Sequence, residues 1–425
     1  MMTTRSPRSE DAPASRQSNP GEVRLEDDRP RPALARERAG ALRPDIVFTF
    51  AFGTWGGAGV RNFSFPEDRL VLDLLTHARV GRVLVCDHFR SAPRKLARTL
   101  LRRSETEFPA SDLAAQHSPL RLRREHPVAV EDVKRVYARY ERGIRRAALR
   151  HGLERPVIVT ANPFLAGFGD FSWAGPVTFY SWDEFACSGT PENGDRWFAT
   201  TLESYRELRA KRRRVVSVSP QIIERIEPTG LHAVAPNGVD AAEWQRLPPP
   251  PAWFAALPSP RLLYVGGLQS RIDVEQIRYL SKVFDEASIS LVGPVIEPDH
   301  FAPLRDIPNI HFHPPISRTE VAGLIGHADV GLIPHIRNLG TEAMSPLKLY
   351  EYLAGGLPVA AVDLPGNVGI SDRVVLVPSD GDIAGAVRHA LTLGRDTDVD
   401  RLAFVAANTW ERRFESLFDV ALAPG

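Results

Sequence analysis

The sequence predicts two α/β domains of similar size, each a parallel sheet covered by helices on both faces, set across a cleft. Three observations carry this reading. Short apolar runs alternate with helical patterns along most of the chain. The alternation stops at Pro236-Asn237-Gly238-Val239-Asp240 and the proline run Pro248-Pro249-Pro250-Pro251, then restarts, as expected of a junction between domains. Finally, 425 residues exceed what one hydrophobic core usually holds.

Residues 1–43 are rich in Arg, Pro, Ser and Glu without periodicity and are expected to be a disordered tail. The first domain is expected over 44–238. Its strands are the apolar runs beginning at Asp45, Arg82, Pro156, Pro176 and Arg214, with helices around 130–150 and 195–210. The polar segment 105–127 reads as a surface excursion. The second domain is expected over 239–404, with strands at 261–265, 289–292, 309–312, 329–333, 358–362 and 373–377. Helices fit at 273–286, 318–327, 346–354 and 382–394. An amphipathic segment, 405–425, closes the chain.

Composition excludes several function classes. A formal net charge of +1 gives no electrostatic reason for a nucleic-acid partner. Cys86 and Cys187 belong to no metal-ligand or disulfide spacing, which fits a reducing, cytoplasmic setting. No run approaches the ~18–20 apolar residues of a membrane span, and residues 1–43 lack the apolar core of a signal peptide. A peripheral association with a membrane stays compatible with both facts.

The most informative segment runs from Ser345-Pro346-Leu347-Lys348 through Glu351 to Gly355-Gly356-Leu357-Pro358-Val359. Ser345 is expected to cap a helix with Pro346 at its first position. Ser345, Leu347 and Lys348 then stand at a helix N-terminus, where free N–H groups favour phosphate. Lys348 and Glu351 are three apart and share a helix face, as donor-site residues or as a solvated ion pair. A second motif, Tyr264-Val265-Gly266-Gly267-Leu268-Gln269-Ser270-Arg271, ends a strand in glycines that admit close backbone approach. Arg271 follows as a partner for a diphosphate.

These residues carry a resemblance. Glu351-Tyr352-Leu353-Ala354-Gly355-Gly356-Leu357-Pro358-Val359 resembles the run E-(Y/A)-(L/M)-A-x-G-x-P-V of the family-4-type GT-B glycosyltransferases. Tyr264–Leu268 resembles the opening of that family's second domain. The resemblance implies two Rossmann-like domains facing across a cleft and transfer of a sugar, with retention, from a nucleotide-sugar donor. UDP is the favoured nucleotide. The donor is a substrate, so no cofactor or bound metal is implied. Glu351 would hold the donor ribose, Arg271 and Lys348 the diphosphate, and the loop at Pro315 the base. The family's usual first glutamate, eight residues before Glu351, falls on Ala343, with Glu342 out of register. The Pro-Leu-Lys-Leu-Tyr-Glu-Tyr form resembles a subgroup acting on cell-envelope and secondary-metabolite sugars. Acceptors implied are therefore a small molecule, a glycan or a lipid-linked sugar. The closing segment's family counterpart crosses back onto the first domain. A catalytically silent sugar-nucleotide-binding partner, or a GT-B epimerase, would carry the same donor motifs.

The acceptor side is placed in the first domain. Phe52-Gly53-Thr54-Trp55-Gly56-Gly57 follows the first strand. It contains no GxGxxG, and only Asp87 stands near a dinucleotide-binding acidic position, so a nicotinamide cofactor is disfavoured. Gly56 and Gly57 would let the loop approach substrate, and Trp55 would stack on the acceptor or pack as a lid. His88, Asn162 and Trp182 lie at strand ends. Asp183, beside Trp182, is the expected catalytic carboxylate for an acceptor hydroxyl, or a helix cap. His311 and His313 face one side of a strand, but no third metal ligand is evident.

Overall fold

The computed structural model describes residues 43–91, 106–121, 126–187 and 197–424. The tail expected over 1–43 lies outside them except for its last residue. Among the described residues there are fifteen strands: β1 (Ile46–Thr49), β2 (Val83–Cys86), β3 (Arg90–Ser91), β4 (Ala114–His117), β5 (Leu120–Arg121), β6 (Val157–Thr160), β7 (Val177–Ser181), β8 (Arg214–Ser217) and β9 (His232–Val234) precede the proline run. β10 (Arg261–Val265), β11 (Ser288–Val292), β12 (Ile310–His313), β13 (Val330–Ile333), β14 (Val359–Val362) and β15 (Val374–Val377) follow it.

They form a seven-stranded sheet in the order β4-β2-β1-β6-β7-β8-β9 and a six-stranded sheet in the order β12-β11-β10-β13-β14-β15, with β3 and β5 paired apart. All pairings within both large sheets are parallel. In each sheet the strand order reverses beside the first strand, at β1/β6 and at β10/β13. Ligands of such sheets bind beyond the carboxyl ends at this reversal.

Burial explains why the strands read as unbroken apolar runs. Ile46 and Phe48 of β1 enter one core while Val47 enters the core on the opposite face. In β10, Leu263 enters one core, and Leu262 and Tyr264 the other. A strand buried on both faces has no polar side to show. By contrast, β4 was expected to be surface excursion and is instead the edge strand beside β2. Its sequence, Ala-Ala-Gln-His, buries only Ala114 and so carries no apolar run.

The chain crosses between the sheets twice at one place. Val239 N–H donates to Asn408 O at 2.9 Å, and Trp410 N–H donates to Val239 O at 3.1 Å. A Cβ on Gly238 would sit 3.0 Å from both Asn408 O and Trp410 N, so close approach of the crossings, rather than a turn, explains this glycine. The helix Trp410–Ala421 then packs Phe414, Leu417 and Phe418 into the core of the first sheet. Among the described residues, no helix is long and apolar enough to cross a membrane.

Candidate functional site

The second sheet supplies a cationic cluster where its strand order reverses. Gly266 ends β10 at φ +138°, and a Cβ there would meet Lys348 Cε at 3.3 Å. Gly293 ends β11 at φ +144°, and a Cβ there would lie 2.1 Å from Gly266 O. Only glycine fits this packing, in which Gly266 N–H donates to Val292 O at 2.9 Å.

Lys348 rides on the helix Leu347–Ala354. Tyr352 of the same helix fixes its position: its hydroxyl donates to Leu263 O at 3.2 Å and accepts from Val265 N–H at 2.9 Å. Lys348 Nζ lies 4.9 Å from the centroid of the Tyr264 ring. Burial first, and the neighbouring Arg271 second, push its ammonium down to about 7, with Glu351 acting in the opposite direction. Arg271 is held by Gln269, whose side-chain oxygen accepts from Nε at 2.7 Å. His335, fully buried after β13, faces both cations and is held neutral by burial and by them. Two cations brought together in a buried place favour an added anion such as a diphosphate.

The helix start differs from expectation. It begins at Leu347 with Pro346 in the cap position and no side-chain cap. Ser345 instead accepts from Asn237 N–H at 3.2 Å, while Asn237 Nδ2 donates to Ser345 O at 2.5 Å, tying the junction to the helix. Leu347 packs against the first sheet's core. Ala343, at the position of the family's first glutamate, is fully buried there, and Ser219 Oγ donates to its carbonyl at 2.6 Å. A glutamate would have to bury its charge in that contact. Glu342 pairs outward with Arg337 at 2.7 Å. Lys348 and Glu351 are not the ion pair their spacing allows. Glu351 Oε1 lies 2.6 Å from Arg318 Nη2. Pro315 is exposed just beyond β12, two strands from β10.

On the first domain, Asp183 stands beyond β7, its Oδ1 accepting from Glu184 N–H at 2.9 Å. Burial raises its carboxyl, and Arg271 of the second domain offsets part of that rise. The Asp183 carboxyl is thus within electrostatic reach of the second domain's Arg271. Trp182 packs on Phe65 and Phe185.

Three acceptor-side expectations need correction. Trp55 is 3% exposed, wedged between Phe63 and Phe108 with ring centroids 4.9 and 5.0 Å away, so it cannot stack on a ligand. Asn162 is fully buried. It caps the helix Pro163–Phe168 and donates to Tyr137 OH at 3.2 Å. His88 shares that hydroxyl at 3.1 Å and is held neutral by burial, so it too belongs to an internal network. Its presence at a strand end was legible, but not the core tyrosine that claims it. Gly57 N–H is used by Thr54 Oγ1, which caps the helix Trp55–Val60. Gly56 alone of the expected set lines a cavity of about 390 Å³ at the carboxyl ends of β2 and β4. Asp87, Arg90, Gln116 and Ser118 line it as well.

Sequence reasoning missed Glu67, buried on the helix Pro66–Thr76, whose Oε2 accepts from Ala51 N–H at 2.7 Å. Burial raises it to about 7. It also missed Arg318 and His335, because each acts through contacts distant in sequence. Among the described residues no group of three His, Cys, Asp or Glu is placed to hold a metal. His313 stacks on Trp253 at 3.5 Å.

Residues 259–393 match the family described as Glycosyl transferases group 1. A Bacillus subtilis (strain 168) protein named as a teichuronic acid biosynthesis glycosyltransferase, TuaH, is 27% identical over 121 residues, covering 28% of this chain and 30% of that one. The match thus spans less than a third of the curated relative's length. Sucrose-phosphate synthase from Thermosynechococcus elongatus superposes with a TM-score of 0.66 at 16% identity, over 88% of this chain and 97% of that one. The UDP-forming α,α-trehalose-phosphate synthase from Burkholderia xenovorans, in complex with glucose-6-phosphate, gives 0.62 at 13% identity, over 89% and 100%. The chain has the GT-B fold, and residues 259–393 of its second domain resemble the group 1 glycosyl transferases.

Proposed function

We propose that the chain transfers a sugar from a nucleotide-sugar donor, held by the second domain, to a hydroxyl of an acceptor held by the first. The single observation that carries this is Lys348 packed against Gly266 and lowered by the neighbouring Arg271, two cations gathered beyond the end of β10. Such a pocket suits a diphosphate. UDP is the first nucleotide to test, because the trehalose-phosphate synthase named above is UDP-forming. An acceptor belonging to a cell-envelope polymer is supported by the teichuronic acid relative.

The reaction proceeds with retention. The acceptor hydroxyl attacks the anomeric carbon on the face from which the diphosphate departs. The bond from that carbon to the phosphate oxygen breaks, a new carbon–oxygen bond forms, and the hydroxyl proton passes to the leaving phosphate. Lys348 and Arg271 stabilise the charge gathering there. Asp183 orients the acceptor hydroxyl from the opposite wall. Its buried, raised carboxyl also favours one second reading, inversion with Asp183 as general base. Incubation with radiolabelled UDP-glucose and an envelope-polymer oligosaccharide, followed by anomer analysis, tests both. An α-linked product supports retention, a β-linked product supports the base, and isomerised sugar nucleotide without transfer would point to an epimerase.

A further inference from the structure

Glu351 does not meet the donor pocket on its own. Arg318 Nη2 lies 2.6 Å from Glu351 Oε1 and 2.8 Å from Glu243 Oε2. Glu243 Oε1 in turn lies 2.8 Å from Arg69 Nη2, and Arg69 Nη1 lies 2.8 Å from Asp240 Oδ2. The chain of charges runs from the donor helix, through the helix Ala241–Trp244 at the domain junction, to the first domain's helix Pro66–Thr76. The side chains of Glu351 and Arg69 are only 7% and 8% exposed, so neither charge is compensated by water alone.

The placement of Arg318 is rigid. It is the first residue of the helix Arg318–Ile325, where Ser317 and Glu320 form a reciprocal capping box. One guanidinium nitrogen bridging two carboxylates fixes where both can be. A flexible ammonium on the same stem would not hold that geometry. We propose that Arg318 is a positioning residue: it sets the Glu351 carboxylate for the donor ribose and, through Glu243 and Arg69, ties that setting to the first domain. The proposal rests on the reading of Glu351 as the ribose ligand.

The test compares the affinity of UDP with that of 2′,3′-dideoxy-UDP by calorimetry. GDP and its dideoxy form replace this pair if wild-type protein binds GDP tighter. Wild type is expected to prefer the hydroxylated ligand by at least about tenfold, one charge-assisted hydrogen bond. Arg318→Ala should reduce this preference to less than about threefold, while affinity for the dideoxy ligand changes less than about twofold. Arg318→Lys, which keeps the charge and protects the fold, should lose most of the preference too. Glu243→Gln, which frees Arg318 on its other side, should give an intermediate value. Equal weakening of both ligands, leaving the ratio intact, would mean a merely structural role and overturn the proposal. If Glu351→Gln abolishes the preference and neither Arg318 variant does, positioning by Arg318 fails while the ribose reading stands. A wild type that does not distinguish the two ligands overturns both.

Discussion

The Arg271 guanidinium of the second domain lowers the Asp183 carboxyl of the first, against a burial that raises it. The two residues are 88 positions apart and belong to different sheets, yet each stands just beyond the carboxyl end of a strand, Asp183 after β7 and Arg271 after β10. They set a cationic group of the second domain against a carboxylate of the first.

Nucleoside diphosphate binding should depend on pH through Lys348. Its ammonium is depressed to about 7, so above that pH the free protein must take up a proton to meet a phosphate with a full charge. The dissociation constant of UDP should therefore rise above pH 7, by up to about tenfold per unit for one proton. Lys348→Ala should flatten the profile and weaken UDP binding by roughly 1–3 kcal/mol, with uridine affinity nearly unchanged. Equal losses for UDP and uridine would remove Lys348 from the phosphate.

Asp183→Asn should lower turnover without weakening UDP binding by more than about twofold, a difference under about 0.5 kcal/mol. Steady-state rates and calorimetry on the same preparation separate the two effects. Loss of nucleotide binding in this variant would place Asp183 on the donor.

Glu67 should make the fold less stable as pH rises. Its folded value, about 7, lies above the ordinary glutamate value of 4.5. The folded state therefore binds the proton more tightly, and the associated stability is present below pH 4.5 and lost as pH climbs through 7. By pH 8 this amounts to on the order of 3 kcal/mol. Glu67→Gln keeps an acceptor for Ala51 N–H and removes the charge. It should raise the melting temperature at pH 8 and leave it nearly unchanged at pH 4.5. A variant no more stable than wild type at pH 8 refutes this.

Phe414, 1% exposed, joins the C-terminal helix to the first sheet's core, with Tyr180 at 6.1 Å and Trp410 at 5.4 Å between ring centroids. Phe414→Ala should cost about 3–5 kcal/mol of unfolding free energy, measured by denaturant titration. A loss below about 1 kcal/mol would mean the helix contributes little to holding the first domain.

The fold was legible where both faces of a strand are buried, because such strands are written as apolar runs: Ile46–Thr49 and Arg261–Val265 are examples. It was illegible at Ala114–His117, an edge strand that buries a single alanine. The Lys348–Arg271 cluster was legible because its pieces are local: a strand ending in glycines and one helix. The surroundings of the expected acceptor-side residues were not. Whether Trp55, His88 and Asn162 face a ligand or the interior depends on Phe108, Tyr137 and Phe63, which no spacing connects to them. Glu67 and Arg318 escaped for the same reason. Their partners, Ala51 and Glu351, are set by tertiary packing.

The most direct test of the central claim, that the second domain's cationic pocket holds a nucleotide-sugar donor, is calorimetric titration of wild type, Arg271→Ala and Lys348→Ala with UDP, GDP and dTDP. One of these diphosphates should bind wild type with a 1:1 stoichiometry, and each variant should bind it roughly 10- to 100-fold more weakly, as expected for a lost charge-assisted contact. A wild type that binds none of the three, or two variants that bind as tightly as wild type, would contradict it.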